Sequence, residues 1–330
     1  MDKSACNRSR FVAGDRAGHY ESWFQRANHA ERPLAFWIRY TVLCPKGRPN
    51  DAVGELWAVY FDGERGRIAA AKEVFAIDAC RFSSSGLGVQ VGTAQLTEAR
   101  LSGQARSGLN ALQWDLRFEG AEAPLLLLPE AFYFRGFPKA KALVGTPNAC
   151  FDGVLVVNGE RIEIARWVGS QNHNWGSKHT DSYAWGQVAG FDGAPDTFLE
   201  CSTARLRVGP FRTPPMTVVV LRTEGREIRL NSIAQALKAD GAFDFTSWRF
   251  ASRSADVSVS AHIQAPKSAF VGLAYGNPPG GTKTCLNTKL ASCELKVELP
   301  GRPSRILVSR HRAAFEILTD RRDHGVPVAA

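Results

Sequence analysis

Apolar side chains recur at every second position along much of this chain. A two-residue period puts alternate side chains on opposite faces of a β-strand, so the pattern restricts the chain to strands with one face on a core. Leu34, Phe36, Ile38, Tyr40 and Val42 occupy alternate positions. Leu112, Trp114, Leu116 and Phe118 alternate with Gln113, Asp115 and Arg117, and Val257, Val259, Ala261 and Ile263 alternate with Ser258, Ser260 and His262. These segments read as half-buried antiparallel strands. Asn158-Gly159, between an apolar run ending at Val157 and the pair Ile162 and Ile164, is a strong hairpin signal. Further reversals are expected at Asp62-Gly63, Asp192-Gly193 and Asp240-Gly241. One segment reads as helix: Asn231 or Ser232 caps it, Ile233, Ala236 and Leu237 supply its apolar face, and Gly241 lies just past its end. The expected fold class is all-β, built of antiparallel barrels or sandwiches with one short helix.

At 330 residues with 44% hydrophobic content, the chain exceeds the size at which one core splits into two. The turn-rich Gly145-Thr146-Pro147-Asn148 suggests domains of 1–147 and 148–330. Each half carries an aromatic strand closing on a Phe-Asp-Gly turn, Trp57 to Gly63 and Trp185 to Gly193, as an ancestral duplication would leave. No stretch approaches the roughly 18 apolar residues of a membrane helix, and the first residues, MDKSACNRSR, are polar. A soluble, cytoplasmic protein is expected. The seven cysteines are scattered without a CxxC pair, which reads as reduced core residues and argues against a disulfide framework or a structural zinc site. The net charge of +9 is spread along the chain. It fits a solvated surface or peripheral contact with a membrane surface, and the absence of a basic stripe interleaved with aromatics argues against nucleic acid.

The most unusual stretch, from Val168 to Gln187, contains Asn172, His173, Asn174, Trp175, His179, Asp181, Tyr183 and Trp185. It mixes aromatic walls with a few polar groups, as small-molecule sites do. The separation of His173 and His179 matches no common metal spacing. His173 reads either as an acid or base or as a structural histidine; Trp175, Tyr183 and Trp185 read as core aromatics or as walls whose π-faces stabilise a cation. A second cluster, His19-Tyr20-Glu21-Ser22-Trp23-Phe24, adds Glu21 as a carboxylate at a cavity edge or at the surface. The loop Gly276 to Lys283 departs from a phosphate loop by one residue and carries two prolines, and Gly86, Gly88 and Gly92 miss the dinucleotide fingerprint by one position. No GxSxG elbow occurs.

With these two aromatic blocks, the chain resembles the lipocalin-like carotenoid 1,2-hydratase family, also called hydroxyneurosporene synthase, which is allied to tocopherol cyclases and fungal Diels-Alderases. The resemblance implies two tandem lipocalin-like (calycin) domains, a ligand cleft at their interface, no cofactor, and chemistry on isoprenoid-like or polyketide-like molecules. It implies protonation of an alkene and capture of the cation by water, with His173, Trp175 and Tyr183 lining the cleft. The family block carries acidic residues around its His and Trp, whereas Asn172 and Asn174 flank His173 here. Amides do not replace a carboxylic acid as proton donor, so the acid must come from elsewhere, with Asp181, Glu21 and Asp192 the nearest candidates. The expected catalytic residues are His173, Asp181 and Tyr183. The expected ligand contacts are Tyr20, Glu21, Trp23, Asn172, Asn174, Trp175, Trp185 and Gln187, with no metal. The functional expectation is a cofactor-independent hydratase, cyclase or isomerase acting on a hydrophobic small molecule; the alternative is a non-catalytic carrier of such a ligand.

Overall fold

The computed structural model describes residues 1–329. Two large antiparallel sheets dominate it. In the first, β1 (His19–Asn28), β2 (Leu34–Cys44), β3 (Val53–Asp62) and β4 (Arg67–Ala76) form a meander, and the long hairpin of β5 (Ala140–Val157) and β6 (Glu160–Gly176) returns to pair with β1. The second sheet repeats this plan. There β7 (Ser182–Phe191), β8 (Ala194–Arg205), β9 (Met216–Thr223) and β10 (Arg226–Leu230) form the meander, and the hairpin of β11 (Thr282–Glu298) and β12 (Arg305–Thr319) returns to β7. The strand orders β4-β3-β2-β1-β6-β5 and β10-β9-β8-β7-β12-β11 therefore correspond position by position, and shorter strands continue each sheet beyond β5 and β11. The first sheet curls until β4 lies against strand Arg100–Ser107, and Asn110 Nδ2 donates to the Ala70 carbonyl at 3.0 Å across the junction.

Local chemistry accounts for the turns. Asn158 and Gly159 both have positive φ, 50° and 87°, as a type I′ hairpin between β5 and β6 requires. The helix Ile233–Lys238 has Ser232 as its N-cap in a capping box with Gln235. A second short helix, Lys3–Asn7, is capped by Asp2, so the described residues hold two short helices where one was expected. Asp240-Gly241 opens strand Asp240–Phe243 instead of forming a turn, because Gly241 lets its backbone pass close to the Thr203 and Thr217 side chains.

The first sheet extends through Gly176, so the sheets divide the chain at residues 177–181 and not at 147. Gly145 to Asn148 lies inside β5, where register shifts bend the strand. The Phe-Asp-Gly echo also falls on non-equivalent strands, β3 and β7.

Each sheet encloses its own core, and a third apolar cluster fills the space between them. On β2 the two-residue period sends Leu34, Phe36, Ile38 and Tyr40 into the first barrel and Ala35 and Trp37 toward the second sheet. On β12, Phe315 and Ile317 point into the second barrel and Ala314 and Leu318 into the seam. All seven cysteines carry free thiols. No described helix is long and apolar enough to cross a membrane.

Candidate functional site between the sheets

A cavity of about 330 Å³ opens at one end of the seam, within the size range of small-molecule sites. Its walls are largely apolar and aromatic, including Phe24, Trp37, Leu143, Tyr183, Trp185 and Tyr275. Behind it, Arg26 of β1 donates through Nε to Gln187 Oε1 (2.8 Å) and through Nη1 to Asn28 Oδ1 (2.8 Å), and Asn28 Nδ2 donates to the Lys289 carbonyl of the second sheet (2.7 Å). These buried bonds cross from sheet to sheet and hold the cavity walls in one relative position.

Polar groups are the minority of the lining but include Arg39, Lys141, Asn174, Glu200, Ser202 and Glu316. Glu200 of β8, 2% exposed, accepts from Trp185 Nε1 and Gln187 Nε2, each at 2.8 Å. Burial raises its carboxyl to about 7; the two hydrogen bonds and the charge of Arg26 oppose that shift without cancelling it. Glu316 of β12 accepts from Lys289 Nζ at 2.8 Å and Asn287 Nδ2 at 2.9 Å. His179 stacks on Tyr20 at 3.9 Å between ring centroids, and its Nε2 donates to the Gly276 carbonyl at 3.1 Å. Burial, reinforced by Arg39, pushes its imidazole down to about 3, so it is neutral. The Tyr183 hydroxyl is pushed well up by burial and stays protonated.

Of the residues singled out in the sequence, Tyr20, Asn172, His173, Asn174, Tyr183 and Trp185 line this cavity. Others do not, and the strand period explains most of the division. In the β1–β6 pairing, Glu21 lies opposite Trp175 and Trp23 opposite His173, while Ser22 and Phe24 lie opposite Asn174 and Asn172 on the other face. The two blocks thus serve two environments. Glu21 is fully buried and accepts from the Arg10 and Phe11 amides (2.9 Å each), His19 Nε2 (3.1 Å) and His173 Nε2 (2.9 Å). Burial alone would raise its carboxyl, but the bonds from His173 and His19 outweigh it and hold the group at about 2. It is an anchor for residues 9–11 and no proton donor. His173, whose imidazole burial pushes down, has its Nδ1 2.7 Å from the Cys6 carbonyl oxygen and 3.4 Å from Arg10 Nη1. Trp23 is a core residue stacked on His173 at 4.7 Å. Trp175 packs under the Arg10 guanidinium, 3.7 Å from its ring centroid. Gln187 sits behind the wall and orients Glu200. Asp181 pairs with Lys178 at 2.6 Å and accepts from the Arg207 amide; Asp192 pairs with Arg310 and Arg312.

Sequence reasoning missed Glu200, Glu316, Arg39, Trp37 and Tyr275. A signal was present: Phe198-Leu199-Glu200-Cys201 and Ala314-Phe315-Glu316-Ile317 each set a carboxylate in an otherwise apolar strand, and such groups are seldom buried without a reason.

No protein-family model and no curated relative matches the chain in sequence. Its fold does match solved structures. One is a protein described as AttH from Nitrosomonas europaea, with a TM-score of 0.58 and 12% identity over 95% of this chain and 97% of that one. The fold is lipocalin-like. Kievitone hydratase from Nectria haematococca matches with a TM-score of 0.57 and 12% identity over 97% and 98% of the two chains. CghA with Sch210972 matches with a TM-score of 0.54 and 10% identity over 97% of each. Each likeness spans nearly the whole of both chains, so it holds for the fold as a whole.

Proposed function

We propose that this protein is a cofactor-independent enzyme that hydrates, cyclises or isomerises a hydrophobic small molecule in the cavity between its sheets, with Glu200 as the acid. The observation that carries this reading is a carboxyl held at about 7 in the wall of an apolar cavity. A group poised near neutral pH both holds a proton and gives it up. In the proposed step the Glu200 O–H bond breaks as a C–H bond forms at one end of a substrate alkene. The cation left at the other end is stabilised by the neighbouring faces of Trp185 and Tyr183. In a hydration, water adds to the cation and returns a proton to the Glu200 carboxylate; in a cyclisation a second alkene adds and the new cation loses a neighbouring proton to the carboxylate, and in an isomerisation a C–H next to the first cation supplies the returning proton. The fold likeness to kievitone hydratase, a hydratase by name, supports the reading.

The test starts with native mass spectrometry of the protein purified from its own host and extraction of the bound compound. Incubating that compound with enzyme in D₂O should introduce one deuterium at carbon during turnover. Glu200→Gln should bind it and turn it over about 10²-fold to 10⁴-fold more slowly, the usual contribution of a general acid. A compound that binds and is recovered unchanged would make the protein a carrier. Undiminished turnover by Glu200→Gln would remove Glu200 from the mechanism.

A further inference from the structure

Arg39 is the cavity residue that proton transfer leaves unexplained. It sits on β2 between Ile38 and Tyr40, is 4% exposed and lines the cavity. Among the described residues its guanidinium forms no hydrogen bond or ion pair, and its Nε is wholly buried without a partner. One face lies over the Tyr275 ring, 4.3 Å from the centroid, which leaves the N–H edge of the fork free. Trp37 Nε1, two residues away on β2, is likewise buried without a partner, whereas the Tyr275 hydroxyl, on the second sheet, meets the Cys285 thiol. Glu316 acts on Arg39 through space, but its own hydrogen bonds go to Lys289 and Asn287. Buried polar groups are almost always hydrogen-bonded, and a buried charge without a partner is costly. A guanidinium without a partner in the lining of a ligand-sized cavity is the complement of an acceptor that arrives with the ligand.

We propose that the ligand is an amphipathic organic acid: a single delocalised oxygen anion, of carboxylate type, docks on the Arg39 guanidinium, and an apolar body fills the rest of the cavity. A guanidinium fork matches two oxygens of one anion. A hydrocarbon there would leave the guanidinium unsatisfied. The charge of Arg39 acts on Tyr20, His179, Tyr183 and Tyr275, whereas Glu200 is surrounded by Trp185, Gln187 and Arg26. This inference rests on the cavity being a small-molecule site and not on proton transfer by Glu200.

Dodecanoic acid, methyl dodecanoate and dodecan-1-ol at pH 8 serve as probes, with binding followed by isothermal titration calorimetry and tryptophan fluorescence. The acid should bind about tenfold to a hundredfold more tightly than the ester or alcohol, the ratio a charge-assisted hydrogen bond produces. Arg39→Gln should abolish that preference while leaving ester affinity unchanged, and Arg39→Lys should keep part of it. Should Arg39→Gln fail to fold, the reduced preference of Arg39→Lys is the readout. Equal binding of acid and ester by the native protein, or a preference that survives Arg39→Gln, overturns the anion site and leaves the cavity reading standing. Failure of all three probes to bind overturns both. Turnover does not enter this measurement, so a failure of the Glu200 mechanism shows up separately.

Discussion

Glu200→Gln should flatten the pH dependence of folding stability in one defined window. In the folded chain the Glu200 carboxyl sits at about 7 because burial penalises the charge, against an ordinary value of 4.5. Between those values the native state holds a proton that the unfolded state has released, so stability falls as pH rises. At about 1.4 kcal/mol per pH unit, the whole window is worth roughly 3 kcal/mol, fully present below pH 4.5 and lost as pH rises to about 7. Glutamine keeps the shape and can still accept from Trp185, but its NH₂ would meet the Gln187 Nε2 donor. That mismatch costs about 1 kcal/mol at every pH. Urea denaturation of both proteins from pH 4.5 to 8 would therefore show the variant less stable at the acid end and gaining on the native protein as pH rises. Other buried titrating groups, Glu21 and His179 among them, are common to both proteins and cancel in the difference. Parallel curves would mean that Glu200 is ionised in the folded protein, and the argument for it as the acid would fail.

His179 should act with the opposite sign. Its folded value near 3 lies below the ordinary 6.5, so its contribution is present above pH 6.5 and lost as pH falls toward 3; the melting temperature of His179→Gln should fall less steeply across that range, and equal slopes would contradict a neutral buried imidazole. Gly169→Ala should break the seam between β1 and β6, because a Cβ there would lie 1.7 Å from the Arg26 carbonyl oxygen and 2.6 Å from the Ala27 Cα. A loss of more than about 3 kcal/mol is expected, as for other changes that force buried backbone apart, and an unchanged urea midpoint would refute the close approach.

Much of the fold is legible in local pattern. Strand Asn110–Glu119 buries Leu112, Trp114, Leu116 and Phe118 and exposes Gln113, Asp115 and Arg117, because its outer face meets water and the alternation is visible. The β1–β2 region is harder to read. Both faces of those strands are buried, one in the first barrel and one in the seam, so an apolar pattern does not say which core a side chain enters. The site was legible in part for the same reason. Sequence proximity marked the Val168 to Gln187 block as unusual, but neighbouring residues on a strand point to opposite faces, which kept Glu21, Trp23 and Trp175 out of the cavity lined by Asn172 and Trp185.

The sequence by itself determined the strands, the Asn158-Gly159 turn, the Ser232 cap and the presence of an aromatic, polar block, since each depends on side chains a few residues apart. Tertiary structure alone decided the equivalence of the two meanders, the division of the chain at 177–181, and the meeting of Arg39 from the first sheet with Glu200, Tyr275 and Glu316 from the second. Those residues lie far apart along the chain. Their shared cavity, and the burial that raises the Glu200 carboxyl, arise only when two sheets pack face to face and exclude water from the seam.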